Sequence, residues 1–201
     1  EGVIDDTDVE FLHDFRVAVR RARSAIGQLK EVLPQPAVDT LAEGLGWLGS
    51  VSNPCRDLDV ALQDMEGFKA ALGDEAVSLD VIEGRLRRDR AAALRRVRAA
   101  LRSRRFARLL AHWQELAEEA PGEPLPAHAA LPIAEIASAR ILKAYRRMLK
   151  AGAKLADPPA PAALHQLRIN AKKLRYLLEF FASLHPEAEL ARLVRELKGF
   201  Q

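Results

Sequence analysis

Apolar residues return every three or four positions along almost the whole chain. Phe11, Phe15, Ala22, Ile26 and Leu29 share one side of a helix turning about 100° per residue, and Leu167, Leu174, Leu178 and Phe181 repeat the pattern later. Runs that alternate polar with apolar between turn pairs are absent, and Ala, Leu, Arg and Glu dominate. The pattern predicts helices and no sheet. "TDVE", Thr7 to Glu10, predicts a capping box opening a helix that runs to about Val32, where Pro34 and Pro36 stop it. A second helix is expected over about Val38–Ser50, with Trp47 on its apolar side. Ser52 to Pro54 predicts a turn, with Asn53 as N-cap and Pro54 at the first position of a third helix reaching about Leu72. A long helix follows from near Ser78, and Ser103 divides it from "RRFARLLAHWQELAEEA". Pro121 to Pro132 reads as a linker. Helices at about Ile133–Lys154 and Ala162–His185 come next, separated by "DPPAP", and a last one starts near Pro186 and runs on to Gln201. The expected fold class is all-α, with antiparallel helical bundles and short connections.

What lies opposite these apolar stripes changes the picture. His13, Arg16, Arg20 and Arg23 stand at i, i+3, i+7 and i+10, within an arc of about 80°. The segment they belong to, "HDFRVAVRRAR", returns as "HQLRINAKKLR", where His165, Arg168, Lys172 and Arg175 take the same places. Arg21 and Lys173 lie beside the two stripes. Arg140, Lys143 and Arg147 form a third stripe on the helix before the second copy. A merely solvated face mixes its signs, because like charges three or four residues apart cost a helix a few tenths of a kcal/mol per pair. Guanidinium forks repeated about every 5 Å along a helix suit a row of phosphates, each held bidentately. The pattern points to a polyanion as ligand, with histidine as a further donor.

Net charge is only +3, but the pI near 9.2 and the clustering of arginines allow strongly positive local fields. The single cysteine, Cys55, excludes an internal disulfide and suits a reducing cytosol. No apolar run approaches the roughly 20 residues that span a bilayer, so no membrane partner is expected. The chain begins "EGVIDD", without methionine or signal peptide, and is expected to be a fragment or excised domain.

Other chemistry finds little support. His13-Asp14 lacks the further ligands of a metal phosphohydrolase, and Glu10-x-x-His13 is not matched in the second copy, where Ala162 replaces the acid. His112, His128 and His185 have no suitable setting. No Gly-rich phosphate loop or nucleophile elbow occurs, so no catalytic residue, metal site or cofactor is expected. Cys55 is read as a helix-start residue, a position that lowers a thiol pKa, but it has no histidine partner. Asp57 and Asp59 are read either as acids near a helix start or, together with Arg56, as supports that orient the basic residues. Trp47 and Trp113 are expected in the core. Between Arg85 and Arg108 there are eleven arginines and one acid, and Arg88, Arg95, Arg98, Arg102 and Arg105 are candidates to line the same basic surface.

"LHDFRVAVRRARSAI", "LHQLRINAKKLRYLLEF" and the Arg-Asp-x-Asp-Val element in "LGWLGSVSNPCRDLDVAL" resemble the CHAD domain family, in the family's order. The resemblance implies two pseudo-symmetric halves around a basic central channel, here one domain over 1–201 with half-repeats of about 1–120 and 133–201. Segments are expected to be missing at both ends. A counterpart of helix 133–154 would precede Glu1, and "ELKGFQ" resembles the lead-in to a second Arg-Asp element. The resemblance also implies binding of inorganic polyphosphate or a similar polyanion without catalysis. The opening "DTDVEFLHDFRVAVRRARS" looks like CHAD modules behind a CYTH-type domain, which would then carry any hydrolysis. The expected location is the cytoplasm, with association with polyphosphate granules. Two other functions compete: a nucleic-acid-binding helical protein, and an accessory substrate-binding domain of a polyphosphate or triphosphate hydrolase. Against the first, aromatics make up only 5% of the chain, and Tyr176 alone sits on a basic face.

Overall fold

A computed structural model describes residues 1–29, 31–118 and 125–199. Among these the structure is helical, without a β-strand: α1 (Gly2–Asp5), α2 (Val9–Gln28), α3 (Gln35–Leu72), a 3-10 stretch (Gly73–Leu79), α4 (Asp80–Leu101), α5 (Arg104–Glu118), α6 (Ile133–Gly152), α7 (Pro161–Phe180) and α8 (Glu187–Gly199). The start of the expected linker, 121–124, and the chain end at 200–201 lie outside the described residues. The chain divides into two compact units, one of Glu1–Arg23 with Asp39–Ala120 and the other of Ser24–Val38 with Pro121–Gln201.

Several boundaries moved from their expected places. Asp8, not Thr7, caps α2, its Oδ1 accepting from the Glu10 amide at 2.8 Å. The helix stops at Gln28, and Glu31 then takes a left-handed backbone with φ of 69°. Pro36 does not end a helix; it occupies the first turn of α3, where its missing N–H costs nothing. The expected turn at Ser52–Pro54 is absent, because α3 runs straight through Pro54. Proline removes the bond that residue 54 would make to the Ser50 carbonyl. Ser50 and Pro54 both face outward, so water can meet that carbonyl, while Ser52, Cys55 and Asp59 on the inner side are buried. Core packing on one side outweighs a helix-breaking signal on the other. Ser103 does divide α4 from α5, its Oγ accepting from the Phe106 amide at 3.2 Å.

In unit 1 the core gathers Leu12, Cys55, Ala93, Leu94 and Val97, with Phe15, Val51 and Leu58 packed against it. Leu12 and Val19 carry the inner face of α2, whereas Phe11, expected there, is 48% exposed and lies over Gly2. Trp113 is 40% exposed rather than in the core, and Trp47 is half-buried beneath the guanidinium of Arg105, 4.5 Å from its ring centroid. In unit 2, Ala171, Leu174 and Leu178 of α7 meet Leu197 of α8, with Ile141, Ala144 and Met148 of α6 against them. Phe181 packs with Ala137 and Leu177 beside this cluster.

An ionic clamp ties the N-terminus of unit 1 to its core. Arg90 of α4 donates from Nε to Asp59 Oδ1 at 2.6 Å, and from Nη1 and Nη2 to the two Asp6 oxygens at 2.8 and 2.7 Å. Arg98, one turn pair further along α4, donates to the Ile4 carbonyl. The hydrogen bonds that Arg90 donates hold the Asp6 carboxyl below the usual carboxylate range, and the same bonds to Asp6 raise Arg90. A depressed carboxyl stabilises the fold above its unfolded pKa, near 4, and that contribution disappears as pH falls through the lower folded value. Asp6→Asn should therefore cost about 2 kcal/mol in denaturant unfolding at pH 7. The difference from the parent should begin to shrink below about pH 4 and vanish only once pH has fallen below the depressed folded value.

Candidate functional site

The first cationic stripe stands on α2, in unit 1. Arg16 is its inward member. Its Nη1 donates to Asn53 Oδ1 and to Ser52 Oγ, the latter at 3.2 Å, so the supposed N-cap residue instead holds an arginine. Burial lowers the Arg16 pKa, neighbouring Arg20 adds to this, and Asp57 opposes it. Arg20, Arg21 and Arg23 are exposed, and His13 is half-buried.

Arg56, Asp57 and Asp59 lie in the middle of α3, so no helix start explains their charge. The Asp57 carboxylate partly offsets the effect of burial on the Arg16 pKa. Asp59, 2% exposed, serves Arg90 rather than the α2 stripe. Arg56 stands 3.9 Å from Glu10. Arg98 and Arg105, expected on the basic surface, are spent internally: Arg98 on the Ile4 carbonyl, Arg105 on Trp47 and on Glu43 at 3.0 Å.

In unit 2 the third stripe behaves as its spacing predicts. Arg140, Lys143 and Arg147 of α6 line one cleft of about 430 Å³, with Lys173 of α7 on the facing wall. Gly27 and Gln28, at the end of α2, border it, and Asn170 and Leu177 complete the α7 side. Asn170, Lys173 and Leu177 follow i, i+3, i+7. The stripe His165, Arg168, Lys172 and Arg175 is centred roughly 150° away around the same helix and does not line the cleft. α7 thus shows two cationic faces flanking its core side.

Not every predicted cation is left to a ligand. Arg140 donates to Glu31 Oε2 at 3.0 Å, and His128 Nδ1 stands 3.3 Å from the same oxygen. The left-handed turn at Glu31 delivers this carboxylate, and its carbonyl accepts from the His128 amide at 2.8 Å. Arg175 pairs with Glu179 at 2.7 Å and stacks on Tyr176, 4.6 Å from the ring centroid. His165, Arg168 and Lys173 are exposed. Sequence reasoning missed Gln28, Glu31 and Asn170. Only the placement of Asn170 three residues before Lys173 signalled its part.

Among the described residues no group of three or more His, Cys, Asp and Glu side chains converges as a metal site would. No described helix is long and apolar enough to cross a membrane.

The profile of the CHAD domain matches residues 1–201, and the chain belongs to that family. A solved structure titled "Crystal structure of the CHAD domain from the plant Ricinus communis" superposes with a TM-score of 0.69 at 28% identity, covering 98% of this chain and 66% of that one. Two curated relatives from Mycobacterium tuberculosis strains, "Uncharacterized protein MT2285" and "Uncharacterized protein Rv2226", are each 30% identical over 169 residues. Those alignments cover 82% of this chain and 33% of each relative, so the chain spans about a third of their length.

Cys55 is not the activated thiol of a helix start. It is fully buried inside α3, and burial first, with Asp59 adding to it, pushes its pKa up to about 11. The folded domain should give no reaction with a disulfide-exchange reagent at pH 7, and one equivalent should react on unfolding.

Proposed function

We propose that this domain binds inorganic polyphosphate, without catalysis, through its Arg, Lys and His helix faces. The observation that carries the reading is the unit 2 cleft, where Arg140, Lys143, Arg147 and Lys173 converge on one open space. Guanidinium and ammonium donors from two helices suit an anion with oxygens on all sides. Membership of the CHAD family supports the same ligand. The His13, Arg16, Arg20, Arg21 and Arg23 stripe of unit 1 and the His165, Arg168, Lys172 and Arg175 stripe of unit 2 are further cationic rows that suit the same kind of polymer. Asp57 and Arg56 support the α2 stripe. We further propose that a CYTH-type domain precedes this one in the full-length protein and carries any hydrolysis, and that the protein works in the cytoplasm at polyphosphate granules.

Competition between polyphosphate and single-stranded DNA of equal charge tests the reading. Polyphosphate should win by a wide margin, since the cationic faces carry almost no aromatic platform for bases. Reversing charge at Arg20 and Arg168 together replaces two attractions by two repulsions, each about 1 kcal/mol in water, so affinity should drop about a hundredfold or more while helicity survives. Equal affinity for DNA would favour the nucleic-acid reading, and an unaffected double variant would remove the α2 and His165 stripes from the binding surface. Glu31 competes with the ligand for Arg140. Glu31→Gln should accordingly tighten polyphosphate binding about threefold, as expected for loss of an exposed ion pair; weaker binding would instead make Glu31 an aid to Arg140.

A further inference from the structure

Asn170 is 5% exposed, yet it lies on the wall of the cationic cleft in unit 2. A buried polar side chain beside an open cavity calls for an account of its hydrogen bonds. Its Oδ1 accepts from Gln166 Nε2 at 3.3 Å, one turn earlier on α7. That bond uses one of the oxygen's two acceptor sites and turns the acceptor end of the amide toward Gln166. The Nδ2 group, with two protons to give, is the end left for the cleft. Lys143, Arg147 and Lys173 are exposed, whereas Asn170 is not, so the cations form the rim and the amide lies deeper.

Resting on the polyphosphate reading above, we infer that Asn170 is a specificity-determining donor, giving a hydrogen bond to a non-bridging phosphoryl oxygen of a chain slim enough to reach it. Rim cations act over several ångströms and accept any polyanion. A neutral amide acts only in contact, at about 2.9 Å. In inorganic polyphosphate single oxygen atoms join the phosphorus centres, and no side group holds the phosphoryl oxygens off a wall. In nucleic acid a sugar and base accompany each phosphate and keep the backbone at the rim. Asn170 therefore separates two ligands that the rim charges alone do not.

The experiment is calorimetric titration of the intact domain with sodium polyphosphate and with single-stranded DNA of equal charge, at several salt concentrations. Asn170→Ala should weaken polyphosphate about tenfold, by the same factor at every salt concentration, and leave DNA unchanged. Gln166→Leu, at an exposed position, frees the amide to turn over and should give a smaller loss of the same selectivity. Lys173→Ala should weaken both ligands and reduce the salt slope by about one. A parent domain that binds no polyphosphate overturns the functional reading itself. A parent that binds, with Asn170→Ala weakening both ligands alike or neither, overturns only the role of Asn170. Should Asn170→Ala lose helicity, Gln166→Leu decides alone.

Discussion

Each cation on these helices must be answered by an oxygen, and the source of that oxygen sorts the basic residues into two groups. One group is answered from within. Arg90 is bound by Asp6 and Asp59, Arg98 by the Ile4 carbonyl, Arg16 by Ser52 and Asn53, and Arg105 by Glu43. These bonds join α1, α2, α4 and α5 to their neighbours in unit 1. The other group, Lys143, Arg147 and Lys173 around the unit 2 cleft, remains exposed. Like charges at helical spacing repel one another, and a polyanion set among them would turn that repulsion into binding energy.

The division explains what was legible in the sequence. Periodicity identified the helices and placed Arg140, Lys143 and Arg147 on one side, because a helix of regular pitch fixes angular position from residue number alone. It also recovered Leu174, Leu178 and Phe181 as core. It failed where a local signal met a distant partner. Asn53 and Pro54 look like a helix start, but the core contacts of Cys55 and the bonds from Arg16 and Arg90 continue α3 through them. Likewise Arg98 and Arg105 fit a basic surface by spacing, and only the fold shows the carbonyl and carboxylate that take them.

The two faces of α7 illustrate a second limit. The repeated histidine-and-cation pattern drew notice because charge is easy to read. Lys173 and Asn170 lie on another side, and Asn170 carries no charge by which to notice it. A neutral amide gains its chemical meaning only from depth and from the Gln166 bond that orients it, and neither is written in residue type.

Ser52 joins two structural problems in one atom. Its hydroxyl donates to the Leu48 carbonyl at 2.8 Å inside the proline-bearing stretch of α3, and its oxygen accepts from Arg16. The side chain is 1% exposed, so no bulkier group fits without displacing its neighbours. Alanine would fill the space but silence the relay between backbone and guanidinium. Cysteine would be larger and offer only a feeble acceptor. Position 52 is therefore a narrow gate for substitution: the smallest hydroxyl-bearing residue is the natural tenant.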